Sequence, residues 1–445
     1  MQTKFDVIII GAGPAGSSAA ILLSRGGWAV ALVEKHIFPR RKVCGECIAA
    51  SNLPLLDALG IGTEIRAIAG PELRKIAIMH GDQIIFSDLP ESNLENHPWG
   101  RALGRETLDS LMLEQARLCG AIVFQPCTVK SINGEAGDWS CEVKDLQSNA
   151  LFILQATVLI AAHGSWESIQ SDRPQRRLAR KASDLFAFKA NFSNAVLDEG
   201  LLSVFSFDGG YGGIVLADGG LTTLACCIRR DRLENYRLAN PKLRVGNLVE
   251  LLLKRECRGV HFALQGATIE DNWLTVGPLD PGVRLKSKND MFRIGNAAGE
   301  AHPIIGEGIS MALQSAWLLC AQLLNTTHSA QPNNPEWQHE IQRRYVRSWR
   351  EHFIPRLRLA AAFAHCAMRP SLAFSLIAIA RSWPSAITLG AKLAGKVNCA
   401  VDSDTIALLT QTPVFEQKSQ VTMLSFVESL QRNNLSPKPP YDCKQ

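Results

Sequence analysis

No stretch of this chain holds the roughly 18–20 consecutive apolar residues that a helix needs to cross a bilayer. The first apolar run begins by about residue 5, which leaves no room for a leader segment, so a cytoplasmic protein is expected. A net charge of +5 over 445 residues is too mild to argue for nucleic acid, although it would not hinder an anionic surface or substrate. Twelve cysteines are scattered without a framework spacing, so they read as reduced thiols and not as a disulfide scaffold. No Ser/His/Asp arrangement, paired metal-ligand spacing or internal repeat is legible, and no metal is expected. With 46% apolar and 20% charged residues, the chain is an ordinary globular sequence, long enough for two or three domains.

What is present is concentrated in residues 5–34, FDVIIIGAGPAGSSAAILLSRGGWAVALVE. An apolar run (7–10), a glycine cluster, a helix-like segment (15–25), a Gly26-Gly27 stop and a second apolar run (29–33) read as strand, turn, helix, strand. Gly11, Gly13 and Gly16 stand at G-x-G-x-x-G spacing, with Pro14 and Ala15 between them. Gly11 permits the tight turn, Gly13 lets the backbone approach a pyrophosphate, and Gly16 lets helix and strand pack closely. The helix start offers unpaired N–H groups and a positive dipole end to phosphate. Glu34 ends the second run, where a carboxylate can accept bonds from an unphosphorylated ribose, which favours FAD or NAD over NADP.

Lys35 opens a basic loop that continues through Arg40, Arg41 and Lys42. One of these three cations meets the phosphates on a functional reading, and all are solvated on the plain one. Cys44 and Cys47 form a C-x-x-C with no second pair to complete a metal site. A helix is expected at 51–59, a hairpin at 76–86 about Gly81-Asp82, a helix at 105–120, strands over 121–161, and an antiparallel sheet over 185–228. Residues 291–294 form a short strand, and Gly306-x-Gly308 opens a long helix running to about residue 324, with its N–H groups aimed at an anionic group. A basic helix at 338–352 and an apolar helical stretch at 356–393, broken at Pro370 and Pro384, follow. This C-terminal stretch is either a helical cap or a contact with a membrane surface. Residues 412–445 turn polar and read as a mobile tail.

The GAGPAG segment, Arg105 at a helix start, and the series Gly295-Asn-Ala-Ala298, Pro303, Gly306-x-Gly308, helix together resemble the FAD-dependent monooxygenase/geranylgeranyl reductase superfamily. Within it, Lys42-Val-Cys-Gly-Glu46, Asn296-Ala-Ala-Gly299 and Gly306-Glu-Gly-Ile309 are most similar to the geranylgeranyl-reductase-related branch. The resemblance spans residues 1 to about 325. It implies an α/β fold with a Rossmann-type, glutathione-reductase-like FAD-binding domain in three pieces (1–75, 101–180 and 286–325). An inserted antiparallel β-sheet substrate domain (76–100 and 181–285) and a C-terminal helical region (335–411) complete it. FAD would be non-covalent, because no attachment motif is evident. Gly11 to Gly16 would hold its pyrophosphate and Glu34, followed by Lys35, its adenosine ribose. Arg41 and Arg105 would reach phosphate or ribityl oxygens, and the Val129 backbone would meet adenine. Asn296 replaces the usual aspartate and can still accept a ribityl hydroxyl through its carbonyl oxygen. Gly306, Gly308 and Ile309 would face the pyrimidine end of the flavin, where helix N–H groups stabilise negative charge.

Two departures from the family pattern bear on activity. Ala162-His163-Gly164-Ser165 stands where many relatives carry Asp-Gly, which weakens the expectation of direct reduction by NAD(P)H. Tyr211-Gly-Gly-Ile214 stands in place of the tryptophan-rich motif of halogenases, and of the aromatic-Trp-aromatic-Pro motif of the reductases. Halogenation is therefore not expected. In a flavoenzyme the protein supplies position, polarity and exclusion of water. Cys44, Glu46, Tyr211 and His302 are the candidate catalytic residues. His302 is a proton donor or a loop histidine bonded to backbone, and Cys44 contacts substrate or simply packs. The expected activity is oxidation–reduction of a hydrophobic organic molecule (lipid-, isoprenoid- or polyketide-like), by double-bond reduction or hydroxylation; the alternative is a non-catalytic, FAD-stabilised binding or assembly protein. NAD(P)H or a partner reductase or ferredoxin would supply electrons.

Overall fold

A computed structural model describes residues 4–94, 96–165, 181–285, 290–324 and 332–410; the stretch read as a tail, 412–445, lies outside them. Two sheets organise the molecule. The first runs in the order 122–124, Val30–Val33, Lys4–Ile10, Leu151–Ala161, Asp138–Asp145, Cys127–Glu135, with Phe292–Arg293 beside the end of Leu151–Ala161. Its first four strands and Phe292–Arg293 are parallel, and the last three form an antiparallel meander. Val7 and Ile9 point into a core shared with the helices Pro14–Arg25, Arg105–Leu118 and Gly308–Leu324, whereas Phe5, Ile8 and Ile10 pack against Trp139, Cys141 and Val143 of the meander. Burial on both faces explains why these strands read as continuous apolar runs.

The second sheet has the order Thr268–Ile269, Leu185–Ser193, Thr222–Arg229, Gly210–Leu216, Leu201–Phe207, Lys75–His80, Gln83–Asp88. It is antiparallel, as expected, except at one seam: Lys75–His80 lies parallel to Leu201–Phe207. The parallel seam arises because the hairpin is delivered from a distant part of the chain and not through a tight turn. One face is covered by the helices Val245–Glu256 and Arg258–Ala263. The other face, carrying Ile76, Leu202, Val204 and Tyr211, turns toward the first domain and the C-terminal helices.

The C-terminal region differs from expectation between residues 352 and 356. Residues 338–352 and the start of the apolar stretch form one helix, Pro335–Ala367, which runs through Pro355. Pro355 removes only the bond to the carbonyl of Glu351, and both residues are exposed, so water can satisfy that oxygen. Trp349, Phe353, Ala360 and Ala364 anchor the helix on both sides of the proline. Pro370–Ser382, Ser385–Leu393 and Ser403–Thr410 follow. No single helix among the described residues is long and apolar enough to cross a membrane.

Candidate functional site

The three glycines of the first loop do different work. A Cβ on Gly16 would lie 1.8 Å from the Gly11 carbonyl oxygen, and one on Gly11, whose φ is +102°, would lie 2.7 Å from the carbonyl oxygen of Ala162. These two let the chain close on itself. A Cβ on Gly13 would meet nothing nearer than Arg105 Nη2 at 3.7 Å. Gly13, Pro14 and Ala15 border a cavity of about 540 Å³. The helix Pro14–Arg25 begins there with no side-chain cap and no acidic residue in its first turn. Glu34 is buried at the edge of this loop, where Oε2 accepts from the Ala12 N–H and Oε1 from the His36 N–H, both at 2.8 Å.

Around the loop stand three cations. Arg105 is fixed by Asp109, which accepts from Nε and Nη2 at 2.7 Å each. Arg40 lies 3.6 Å from Asp109 and 3.9 Å from Glu34. Burial, then the neighbouring Arg105 and Arg40, lower the Lys42 ammonium to about 8. Lys42 and Arg105 both line the cavity. Arg41 faces away from it: its guanidinium bonds the Asn272 carbonyl at 3.0 Å and lies 3.5 Å from Asp271. Its neighbour Lys42 therefore holds the place that the family pattern suggests for Arg41. Lys35 is exposed. Val129 sits in the meander opposite Val143, next to a bulge; its strand starts at Cys127, whose N–H bonds the Glu34 carbonyl at 2.7 Å.

Glu46 is 2% exposed and joins three elements. Its Oε1 accepts from the Arg105 N–H at 2.9 Å and pairs with the Lys189 ammonium, while Oε2 accepts from Thr223 Oγ1 at 2.6 Å. Asp218 accepts from Gly104 N–H at 2.5 Å and Thr107 Oγ1 at 2.7 Å at the same helix start. The N-terminus of Arg105–Leu118 is thus satisfied by protein carboxylates. That of Pro14–Arg25 is left to face the cavity.

On the far side, Asn296 Nδ2 donates to Ser165 Oγ at 2.9 Å, and the Asn296 backbone carbonyl accepts from Arg284 Nη1 at 3.0 Å. Gly306 takes a left-handed conformation that turns the chain into the helix Gly308–Leu324. A Cβ on Gly308 would enter open space, and Ile309 follows in the same wall. Beneath the loop, Glu307 is fully buried between Arg356 (3.4 Å) and Lys396 (3.7 Å). Burial holds its carboxyl above the usual range against those two cations. The Lys396 ammonium also lies 3.5 Å from the Gly306 carbonyl and lines the cavity. Nothing in the sequence pointed to Lys396 or Arg356, because neither lies in a motif.

Tyr211 and His302 meet, with the hydroxyl 3.4 Å from Nδ1. Burial lowers the imidazole below its ordinary range, and burial, then the neighbouring Cys227, push the phenol well above its own. Both groups are therefore neutral near pH 7. Tyr211 and Cys44 lie in the cavity wall, and the Glu46 N–H points at Cys44 Sγ, 3.3 Å away. Cys44 and Cys47 are free thiols, the second pushed up to about 11 by burial. Burial, then Arg293, push His163 down to about 4, so it too is neutral.

A family model described as FAD binding domain matches residues 4–232. The chain belongs to this FAD-binding family. The flavoprotein is 25% identical to conditioned medium factor receptor 1 of Dictyostelium discoideum (79% of this chain, 68% of that protein). It is 25% identical to tryptophan 2-halogenase of Chondromyces crocatus over 73% of this chain and 62% of the halogenase. It is 22% identical to digeranylgeranylglycerophospholipid reductase of Methanocaldococcus jannaschii (79% and 83%). The fold superposes on a myxobacterial chondrochloren halogenase with a TM-score of 0.68 at 18% identity, covering 94% of this chain and 99% of that one. The residues present fit FAD: an open glycine cradle, an uncapped helix start, Arg105 and Lys42 for phosphate, and a second open helix start at Gly308. The flavoprotein is an FAD-dependent oxidoreductase.

Proposed function

We propose that this flavoprotein acts on a hydrophobic, isoprenoid- or lipid-like molecule, by reducing a double bond or by hydroxylation. The observation that carries this reading is the continuity of the cavity. From the glycine cradle it runs on between Ile78, Leu202 and Val204 of the second sheet and Phe363, Ile377 and Ile387 of the C-terminal helices. An apolar chamber of this kind binds by excluding water and orients by a few polar groups. FAD, when bound, supplies the redox chemistry. The chain's own residues do the rest. Gly13 and the start of Pro14–Arg25 hold anionic phosphate, and Lys42 and Arg105 balance its charge. The N–H groups after Gly306 face the other end, with Lys396 beneath them. Tyr211, in the cavity wall with His302 behind it, is placed to offer its hydroxyl as a hydrogen-bond donor to bound substrate.

The test is anaerobic photoreduction of the FAD-loaded protein, followed by polyprenyl and aromatic candidates with and without oxygen. Saturated product without oxygen identifies a reductase, and oxygen-dependent product a hydroxylase. Because a tryptophan 2-halogenase is among the relatives, chloride and bromide join the same trial. Reoxidation indifferent to every substrate would favour a binding protein and sink the proposal.

Electron supply is the second expectation. One glycine-rich βαβ unit is present among the described residues, and it is the one that FAD would occupy. His163, neutral beside Arg293, replaces the carboxylate of the usual pattern. NADH or NADPH alone should bleach the flavin band slowly in stopped flow, and a separate reductase or ferredoxin system should bleach it faster. Rapid bleaching by either nicotinamide without a partner would refute this. His163→Asp should leave FAD bound and change the nicotinamide response.

A further inference from the structure

The exposed apolar side chains of this molecule are not evenly spread. Seven of the 21 exposed large hydrophobics among the described residues fall between 372 and 393: Leu372, Phe374, Leu376, Ile379, Trp383, Leu389 and Leu393. The helix Pro370–Ser382 buries Ala373, Ile377 and Ala380 against the body and leaves Phe374 67% and Ile379 54% exposed. A helix that is apolar all round belongs in a core or against lipid, and this one has protein on one side only. It and Ser385–Leu393 lie along the edge hairpin of the second sheet, where Ser87 Oγ donates to the Pro384 carbonyl at 3.1 Å and Thr388 Oγ1 to that of Asp88 at 2.7 Å. The edge strand there adds Phe86, 54% exposed.

Charge settles which partner fits this face. From 352 to 401 the chain has six arginines and lysines and no aspartate or glutamate. Arg369, Arg381 and Lys392, all exposed, lie at the ends of the two helices that carry the apolar side chains. Helices that carry aromatic and aliphatic side chains with cations and no acids of their own match the boundary between the acyl chains and headgroups of an anionic bilayer, although the hairpin beside them adds the exposed Asp88. The helix pair is bent by 107° at the break before Pro370, so Pro370–Ser382 is suited to lie in the interface and not to continue a span. Leu376 and Ile379 also line the cavity while 39% and 54% exposed. The cavity therefore reaches the surface at this face.

We infer that residues 370–393 dock the protein on an anionic phospholipid surface and place the cavity mouth against the bilayer. The inference stands on this surface and is independent of the reaction proposed above. Full-length, FAD-loaded protein is floated with vesicles of phosphatidylcholine alone or mixed with phosphatidylglycerol. Binding to the mixed vesicles should exceed binding to neutral ones and fall with salt. Phe374→Asp combined with Trp383→Asp, and separately Arg381→Glu combined with Lys392→Glu, should each weaken it by about tenfold or more. All four positions are exposed, so flavin content and melting temperature should not change. A benzophenone side chain in place of Trp383 should crosslink to lipid. Failure to float, flotation unaltered by both variants, or crosslinks to a second copy, to residues 411–445 or to an acidic carrier protein would each overturn the inference.

Discussion

A chain carrying Gly13→Val should fold normally and lose FAD. A Cβ at this position meets no backbone, only the tip of Arg105 at 3.7 Å, so the apo protein has no steric reason to be less stable. The valine methyls would instead stand in the cradle that a pyrophosphate enters. A loss of about two orders of magnitude in FAD affinity is expected, equivalent to about 2.8 kcal/mol. The checks are flavin absorbance after reconstitution and thermal melting with and without added FAD. The apo melting temperature should match the wild type, and the ligand-induced rise should vanish. Gly16→Val is the contrast, because its Cβ would fall 1.8 Å from the Gly11 carbonyl oxygen and the βαβ unit could not close. Full yellow colour in Gly13→Val would remove the cradle from the pyrophosphate assignment.

Glu46→Ala should cost about 3–5 kcal/mol of stability, the range for breaking a buried ion pair. The substitution leaves the Lys189 ammonium, 1% exposed, without its anion, and takes the acceptor from the Arg105 N–H and the Thr223 hydroxyl. Lys189→Met should cost less, because Glu46 keeps those two donors. Glu46→Gln with Lys189→Met should recover much of the loss, since it removes both charges together. Denaturant unfolding of the wild type, Glu46→Gln, Lys189→Met and the double variant provides the cycle, with Glu46→Ala measured beside it. A loss below about 1 kcal/mol in Glu46→Ala would place the brace in the surface class. The same set bears on the candidate catalytic role of Glu46. Activity restored along with stability in the double variant would mean that the carboxylate acts by joining helix Arg105–Leu118 to the second sheet, and activity still lost would mean that it handles a proton.

The glycine loop proposed to hold the phosphates could be read from sequence because it is local. Strand, glycines, helix and Glu34 fall within one short stretch, and each step is dictated by backbone geometry. The long helix after Gly308 was legible for the same reason. What escaped was whatever depends on distant pieces meeting. Lys42 and not Arg41 lines the cavity, because the direction of a loop side chain is set by its neighbours, here Asp271 and Asn272 for Arg41. The parallel seam between Lys75–His80 and Leu201–Phe207 leaves no mark in either strand's own alternation. The helices expected at 338–352 and from 356 onward are one, since the exposed position of Pro355 between them makes the lost bond cheap. Glu307 stood in plain view between two glycines, but its partners Arg356 and Lys396 belong to a region without motifs.

That buried trio also bears on how the protein is made. Glu307 lies under one wall of the cavity, and the two cations that balance it follow 49 and 89 positions later. A ribosome adding about 5–20 residues per second needs roughly 20–80 s to travel from Gly13 to Lys396. The glycine loop is made first, but the wall opposite it is missing or holds an unbalanced acid until the end of that interval. Cofactor capture is therefore expected late in the life of the nascent polypeptide, after an unfinished chamber has held its aliphatic walls open to water.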